Sequence, residues 1–409
     1  GNNLCIGPRV ILDQERCVLC GRCVRFMRDI MHDEVLTMSQ RGTFNAITVY
    51  PGRELDSNYS MNTVDLCPVG ALTSKDFRFK MRVWFLKETK TIDVDCGTGT
   101  NITLWTREDK VYRITPRQND AVNSCWMPDS HRLNYKYINA ETRIPQPVIR
   151  TDAEAPHRPS TWEPALASAA EAVKRIAPNQ LAIIASGRMT NEELYMVRHL
   201  AAQIGTDMVD IVPRMGESDG MLISADRNPN TNGARLVLDN EPGSKLDAIR
   251  EGVRSGSIKG IFSLGEDLIS PEAGFTAEDL DKLDYLFMTA HSANETARHA
   301  DLVLPGVTYA EKFGTMINVT GRIQRLNRAI QPIGYARDDW QIFRDITLLL
   351  GGNPALKDFN SALDILTAMS TEYGALNGVS WGSIGDGGQP ILETGVTIPV
   401  VEREKTQGR

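Results

Sequence analysis

The hydrophobic positions change texture partway along the chain. From residue 160 onward, apolar runs of strand length alternate with amphipathic stretches of helical period. Thr161–Ile176 reads as an Ala-rich amphipathic helix and is followed by the apolar run Leu181–Ala185. Thr190 and Glu193 have the spacing of a capping box, in which the hydroxyl accepts from an orphan N–H and the carboxylate reaches back. The helix they open is predicted to run to about Ile204, with Gly205 free to adopt the left-handed cap. The alternation continues with a strand at Met208–Val212, a helix at Lys245–Val253, a strand at Gly260–Leu264, a helix at Ala277–Leu283 and a strand at Tyr285–Thr289. Helices between successive strands imply parallel pairing, a sheet covered on both faces, and a ligand crevice, if any, at the carboxyl ends of the strands.

Upstream the pattern is shorter and more polar. Thr91–Val94, Ile102–Thr106 and Val111–Ile114 read as strands separated by polar turns. Residues 1–85 show little periodicity, and Arg143 to Pro159 reads as a linker. Three domains are therefore expected: 1–85, a small β domain at 86–145, and a doubly wound α/β domain at 160–409, so that the chain is α/β with an α+β N-terminal part.

The chain has 409 residues and a net charge of −7, which argues against nucleic acid as its main partner. The apolar runs fall far short of the roughly 20 residues of a spanning helix, so no direct membrane insertion is expected. Gly1-Asn2-Asn3-Leu4 offers neither an initiating Met nor a signal peptide, and the chain is expected to start partway into a longer protein.

Of seven cysteines, five precede residue 70 and none follows Cys125. An odd number of thiols crowded at one end of a long chain favours metal ligation over a disulfide framework. Cys17, Cys20 and Cys23 stand three apart, with Gly21 easing a tight loop, and Cys67 is followed directly by Pro68. In bacterial-type ferredoxins the fourth cysteine of each C-x₂-C-x₂-C-x₃-C-P run serves the other cluster. Here Met27 stands four after Cys23 and Thr63 four before Cys67, so the ligands of a second cluster are missing and those of one remain. A structural Cys₄ zinc site is the alternative, although zinc sites favour paired knuckles over a continuous run. Arg16, Arg22, Arg25 and Arg28 surround the ligands and would raise a cluster's potential, or form a solvated or partner-facing basic surface.

Asp93-x-x-Cys96-x-x-x-Thr100 has the spacing of a cluster motif with its outer two ligands replaced, and reads as a decayed site. Cys96 and Cys125 are expected as buried small apolar residues; Cys5 has no evident partner. Gly382-x-x-Gly385-x-Gly387-Gly388 is expected to be a flexible loop. His291 and His299 flank Glu295, where capping and surface roles outweigh a metal pair. His32 lies near the cluster loop and is a candidate for tuning its potential.

The run from Ile11 to Phe26, with Asp65-Leu66-Cys67-Pro68-Val69-Gly70-Ala71-Leu72, resembles the large iron–sulfur subunit of NADH:quinone oxidoreductase (respiratory complex I). Arg113 to Asn123 resembles the small β domain of that family. Ala300-Asp301-Leu302-Val303-Leu304-Pro305-Gly306, continuing through Glu311, Gly314, Asn318, Gly321, Arg322 and Gln324, is similar to the molybdopterin-oxidoreductase fold of its large domain. The family's N-terminal [2Fe–2S] region and its His-plus-three-Cys cluster site would lie before Gly1, so the chain is expected to be either a fragment or one half of a split subunit. Asp93, Thr100 and Pro128 stand where some members carry the cysteines of an extra [4Fe–4S] cluster.

The resemblance implies a ferredoxin-like [4Fe–4S] domain, a small β domain and a molybdopterin-oxidoreductase-like domain without molybdopterin. It implies one [4Fe–4S] cluster on Cys17, Cys20, Cys23 and Cys67, no catalytic acid or base, and electron transfer from an NADH-reduced flavin subunit toward quinone. [2Fe–2S] and further [4Fe–4S] clusters are expected only in the missing N-terminal region or in partner subunits. The implied partners are the flavin/NADH-binding subunit and other iron–sulfur subunits of the peripheral arm. The implied place is peripheral, on the cytoplasmic side of the inner membrane, or the matrix side in a eukaryote. The rivals are a molybdenum enzyme such as a formate dehydrogenase, the diaphorase subunit of a hydrogenase, and a structural scaffold; no cysteine beyond Cys125 could ligate molybdenum, although a Ser could.

Overall fold

In the computed structural model, residues 3–39, 42 and 45–406 are described. Strands β1 (Asn3–Cys5), β2 (Val10–Asp13) and, after the β3 (Leu36–Ser39) and β4 (Ala46–Val49) hairpin, β5 (Leu72–Ser74) build the N-terminal region. β1, β2 and β5 form one antiparallel sheet in the order β1-β2-β5. The next sheet is an antiparallel meander of β6 (Lys87–Ile92), β7 (Asn101–Arg107) and β8 (Lys110–Pro116).

The segment expected to be a linker is not one. β9 (Val148–Ile149) and β10 (Arg158–Pro159) join the edge of the large sheet antiparallel, because β9 pairs with β15 (Leu302–Pro305) far along the chain. Two-residue strands carry no periodicity, so local pattern could not reveal them. Between them and β15 lie β11 (Leu181–Ala185), β12 (Val209–Ile211), β13 (Gly260–Leu264) and β14 (Tyr285–Ala290). The order across the seven strands is β10-β9-β15-β14-β13-β11-β12, with β11 to β15 parallel. A small antiparallel sheet of β16 (Gly314–Ile317), β17 (Arg322–Leu326) and β18 (Gln389–Pro390) follows. The glycine segment expected to be flexible thus runs into a strand, and Arg322 Nη1 donates to the carbonyls of Gly387 and Gly388 at 3.1 and 2.9 Å.

The apolar runs explain the layering. Every residue of β11, β13, β14 and β15 is buried. Alternate side chains enter two cores: Ile183, Phe262, Phe287 and Leu302 face one, and Ile184, Ile261, Leu286 and Val303 the other. Helix α1 (Arg22–Arg25), α2 (Asn62–Leu66) and α3 (Asp129–Arg132) are single turns near the cysteines, whereas α4 (Trp162–Arg175) and α5 (Asn191–Ile204) are full amphipathic helices on the large sheet. α5 begins with the expected capping box and ends at Gly205 in the left-handed conformation, φ 82°. The helix at Thr231–Leu238 was not legible in the pattern, and neither was the return of the C-terminal helix Pro399–Thr406. Val400 and Val401 of that helix pack with Val10, Leu12, Phe26 and Trp126, so the two ends of the chain share one core.

Candidate metal centre

Each of the four cysteines is delivered by a different local device. Cys17 ends the 3₁₀ turn Gln14–Arg16, which Asp13 caps through Oδ1 to the Glu15 N–H at 3.2 Å. Cys20 lies in the loop that follows, which turns back at Gly21 (φ 70°); Gly21 is buried, and a Cβ there would meet the Met38 methyl at 3.0 Å. Cys23 sits inside α1, and Cys67 closes α2 in extended conformation ahead of Pro68. The four line a single cleft with Leu12, Ile47, Ala71 and Leu72 along its apolar wall and Arg22 at its rim. Cys20 is exposed, while Cys17, Cys23 and Cys67 are half-buried. Burial pushes the Cys23 thiol up to about 11, and the adjacent Cys17 and Cys20 thiols push the same way.

Met27 and Thr63 are fully buried side chains of the domain's interior. The Thr63 hydroxyl donates to the Ser60 carbonyl at 2.7 Å. Arg16 and Arg28 pair with Asp13 and Asp29. His32 does not line the cysteine cleft.

The second motif is also assembled. Asp93, Cys96 and His131 are buried and offer a carboxylate oxygen, a sulfur and a ring nitrogen within 4.8 Å of one another. His131 was not singled out in the sequence, since 38 residues separate it from Asp93, yet their side chains lie 2.6 Å apart. Cys125 is exposed, contrary to the expectation of a buried thiol, because Trp126 takes the inward position and packs against Phe26, ring centroids 4.7 Å apart and tilted by 38°. Cys5 is exposed on β1. His291 and His299 do not converge: the first bonds Ser292 at 2.8 Å and the second Asp281 at 2.8 Å.

At the carboxyl ends of β11, β13, β14 and β15, where a doubly wound sheet receives ligands, the crevice is lined by Ser186, Arg188, Gly265, His291, Gly306 and Lys312, among others. Charges of the chain itself pair across and behind it. Lys312 Nζ donates to both Glu193 oxygens at 2.8 and 3.1 Å. Arg143 Nη2 donates to both Glu311 oxygens at 3.0 and 2.7 Å, both side chains being 1% exposed. Burial first, then Arg143, Lys312 and Arg188, lowers His291 to about 4. The Ser186 hydroxyl accepts from the Arg188 N–H at 3.2 Å.

Residues 7–73 match the family described as NADH-quinone oxidoreductase subunit 3, ferredoxin-like domain. Residues 86–136 match NADH-ubiquinone oxidoreductase NDSU1/NuoG-like, 4Fe-4S domain, and residues 213–347 match molybdopterin oxidoreductase. The NADH-ubiquinone oxidoreductase 78 kDa subunit of Neurospora crassa is 28% identical over 85% of this chain and 62% of its own length. A bacterial relative, an NADH-quinone oxidoreductase subunit of Rickettsia bellii, is 25% identical over 90% of this chain and 70% of its own. The chain is a homologue of these subunits.

Relative to the Neurospora 78 kDa subunit, it spans somewhat under two thirds of the length. The acetylene hydratase of Pelobacter acetylenicus shares the fold, with a TM-score of 0.53 at 10% identity over 72% of this chain and 73% of that one. The homologues thus account for ferredoxin-like iron–sulfur domains followed by a molybdopterin-oxidoreductase fold. That fold does not by itself carry its cofactor.

Proposed function

We propose that this chain is an electron carrier of NADH:quinone oxidoreductase and that Cys17, Cys20, Cys23 and Cys67 hold one [4Fe–4S] cluster. The observation that carries the reading is the convergence of these four thiols on a single cleft. The donor set fits: four soft sulfurs, three from one tight loop and one beside a proline, suit an iron cube better than a single ion. Such a group supplies one-electron chemistry.

The chain's own residues do the rest. Gly21 and the short turns aim the thiolates; Leu12, Ile47, Ala71 and Leu72 shield the inner side from water; Arg22 places a positive charge at the rim, which favours the reduced form. No general acid or base is needed. The α/β crevice supports a domain without molybdopterin, because Glu193, Lys312, Arg143 and Glu311 are matched to one another rather than left for a ligand. The Ser186 hydroxyl, the residue type that a molybdenum enzyme without cysteine would need, is engaged with its own turn.

Partners are the flavin/NADH-binding subunit and the other iron–sulfur subunits of the peripheral arm. Phe79, Trp84 and Phe85, exposed at 92, 72 and 53%, form an apolar segment suited to a protein contact. Among the described residues no helix is long and apolar enough to cross a membrane, in keeping with a peripheral place on the cytoplasmic or matrix side. EPR of the dithionite-reduced protein, with metal analysis, tests the reading. A reduced-cluster signal with about four irons and no molybdenum per chain is expected; molybdenum in place of that signal overturns it.

A further inference from the structure

We propose that Asp93, Cys96 and His131 form a mononuclear site for a first-row divalent cation, zinc being the ion that this donor set suits. The site occupies the segment whose homologous domain is described as a 4Fe-4S domain, so its donors are the first question. One thiol, one imidazole and one carboxylate cannot bind the four irons of a cube. The same three donors are ordinary ligands of a single zinc ion, with a fourth position left over.

Geometry supports the assignment independently of the cluster reading above. The three donor atoms lie within 4.8 Å of one another, and their residues are 3, 1 and 8% exposed. Ligands of a tetrahedral zinc stand roughly 3.3–3.7 Å apart, given Zn–N and Zn–O of about 2.1 Å and Zn–S of about 2.3 Å. The Asp93 Oδ2 to His131 Nδ1 separation of 2.6 Å is that of a hydrogen bond, and replacing its proton by a metal opens it by about 1 Å. Asp93 is already oriented: its N–H donates to the Thr100 carbonyl at 2.8 Å, and its Oδ1 accepts from the Asp95 N–H at 3.3 Å, leaving Oδ2 toward His131. The loop between is anchored by Gly97 N–H to the Asp226 carbonyl at 2.8 Å.

A second observation points the same way. Thr100, which closes this loop and is 1% exposed, has a hydroxyl with no hydrogen-bond partner among the described residues. A buried hydroxyl left unmatched in the loop that carries Asp93 and Cys96 is a polar group that a bound water would satisfy. Binding displaces the Cys96 thiol proton and the proton between Asp93 and His131 to solvent; no redox change is involved. Because the donors are buried, the ion would tie the loop of residues 93–100 to α3 and bind no substrate.

The test uses the full chain with its iron cluster assembled, first analysed for metals, then stripped by chelator and titrated with Co²⁺. One zinc per chain beyond the iron is expected. Co²⁺ should give a thiolate charge-transfer band and the visible absorption of a four-coordinate ion. Cys96→Ser and His131→Gln should each lose zinc and the cobalt band at unchanged iron content, whereas Cys67→Ser should lose iron and keep zinc. Wild-type protein that holds no zinc and gives no thiolate–cobalt band reduces the triad to an ion pair beside a core cysteine and overturns the proposal. Zinc lost with Cys67→Ser but kept in His131→Gln also overturns it. Since iron and zinc are read separately, failure here is distinct from failure of the electron-carrier reading.

Discussion

The cysteine cleft of the N-terminal region and the crevice of the α/β sheet stand in the places where each fold receives a cofactor, and they are finished in opposite ways. Around the cleft the backbone is made of single turns, with helices of four and five residues and strands of three and four. Such elements bury little surface and leave the four cysteines lining one cleft. At the crevice, beside fully buried strands, the loop residue Arg143 pairs with Glu311 of a short 3₁₀ turn, and Lys312 just after that turn pairs with Glu193 of α5. The first region offers four soft donors to the cluster proposed above. The second pairs Arg143 with Glu311 and Lys312 with Glu193, so these four charges have little left to offer an incoming group, while Arg188 and Asp339 also line the crevice. The proposal that this fold works without molybdopterin thus rests on the side chains at the strand ends.

The largest test of this contrast is Cys67→Ser, which should reduce bound iron from about four per chain to a small remainder and abolish the reduced-state EPR signal. Full iron retention would mean that the first centre does not depend on the remote thiol. Next comes Arg143→Ala, which leaves the Glu311 carboxylate buried without its cation. Unfolding in urea should show a loss of about 3–5 kcal/mol. A loss below about 1 kcal/mol, the range of exposed pairs, would mean that the crevice is not closed by its ion pairs. The smallest effect concerns pH. His291 titrates near 4 in the folded chain, below the about 6.5 of an unfolded histidine. The unfolded state therefore binds more protons between these values, so this contribution is present above about pH 6.5 and is lost as pH falls toward 4. His291→Gln should flatten the fall in melting temperature over that window; an unchanged slope would remove His291 from the electrostatics of the crevice.

Much of the α/β region was legible because its signals are local. Leu181–Ala185 and Gly260–Leu264 are strands over the ranges that their apolar runs predict. Thr190 and Glu193 form the capping box because both partners lie within one turn. The C-x₂-C-x₂-C spacing likewise announced a tight loop, and the loop turns at the glycine it contains. What was missed depends on distance along the chain. β9 and β10 are strands only because β15 offers an edge about 150 residues later. His131 joins Asp93 only because α3 folds back over the β6–β7 loop, and Cys125 is exposed because Trp126 fills the core position beside it.

Local pattern sets the longer elements and the ligand types: periodicity marks which faces are buried, and residue chemistry marks which atoms can hold a metal. Only the tertiary structure decided which distant groups meet. It brought Cys67 to the other three thiols, His131 to Asp93 and Cys96, and Glu311 to Arg143. Those encounters are fixed by how sheets and helices pack around the shared cores, a long-range property that no window of neighbouring residues contains.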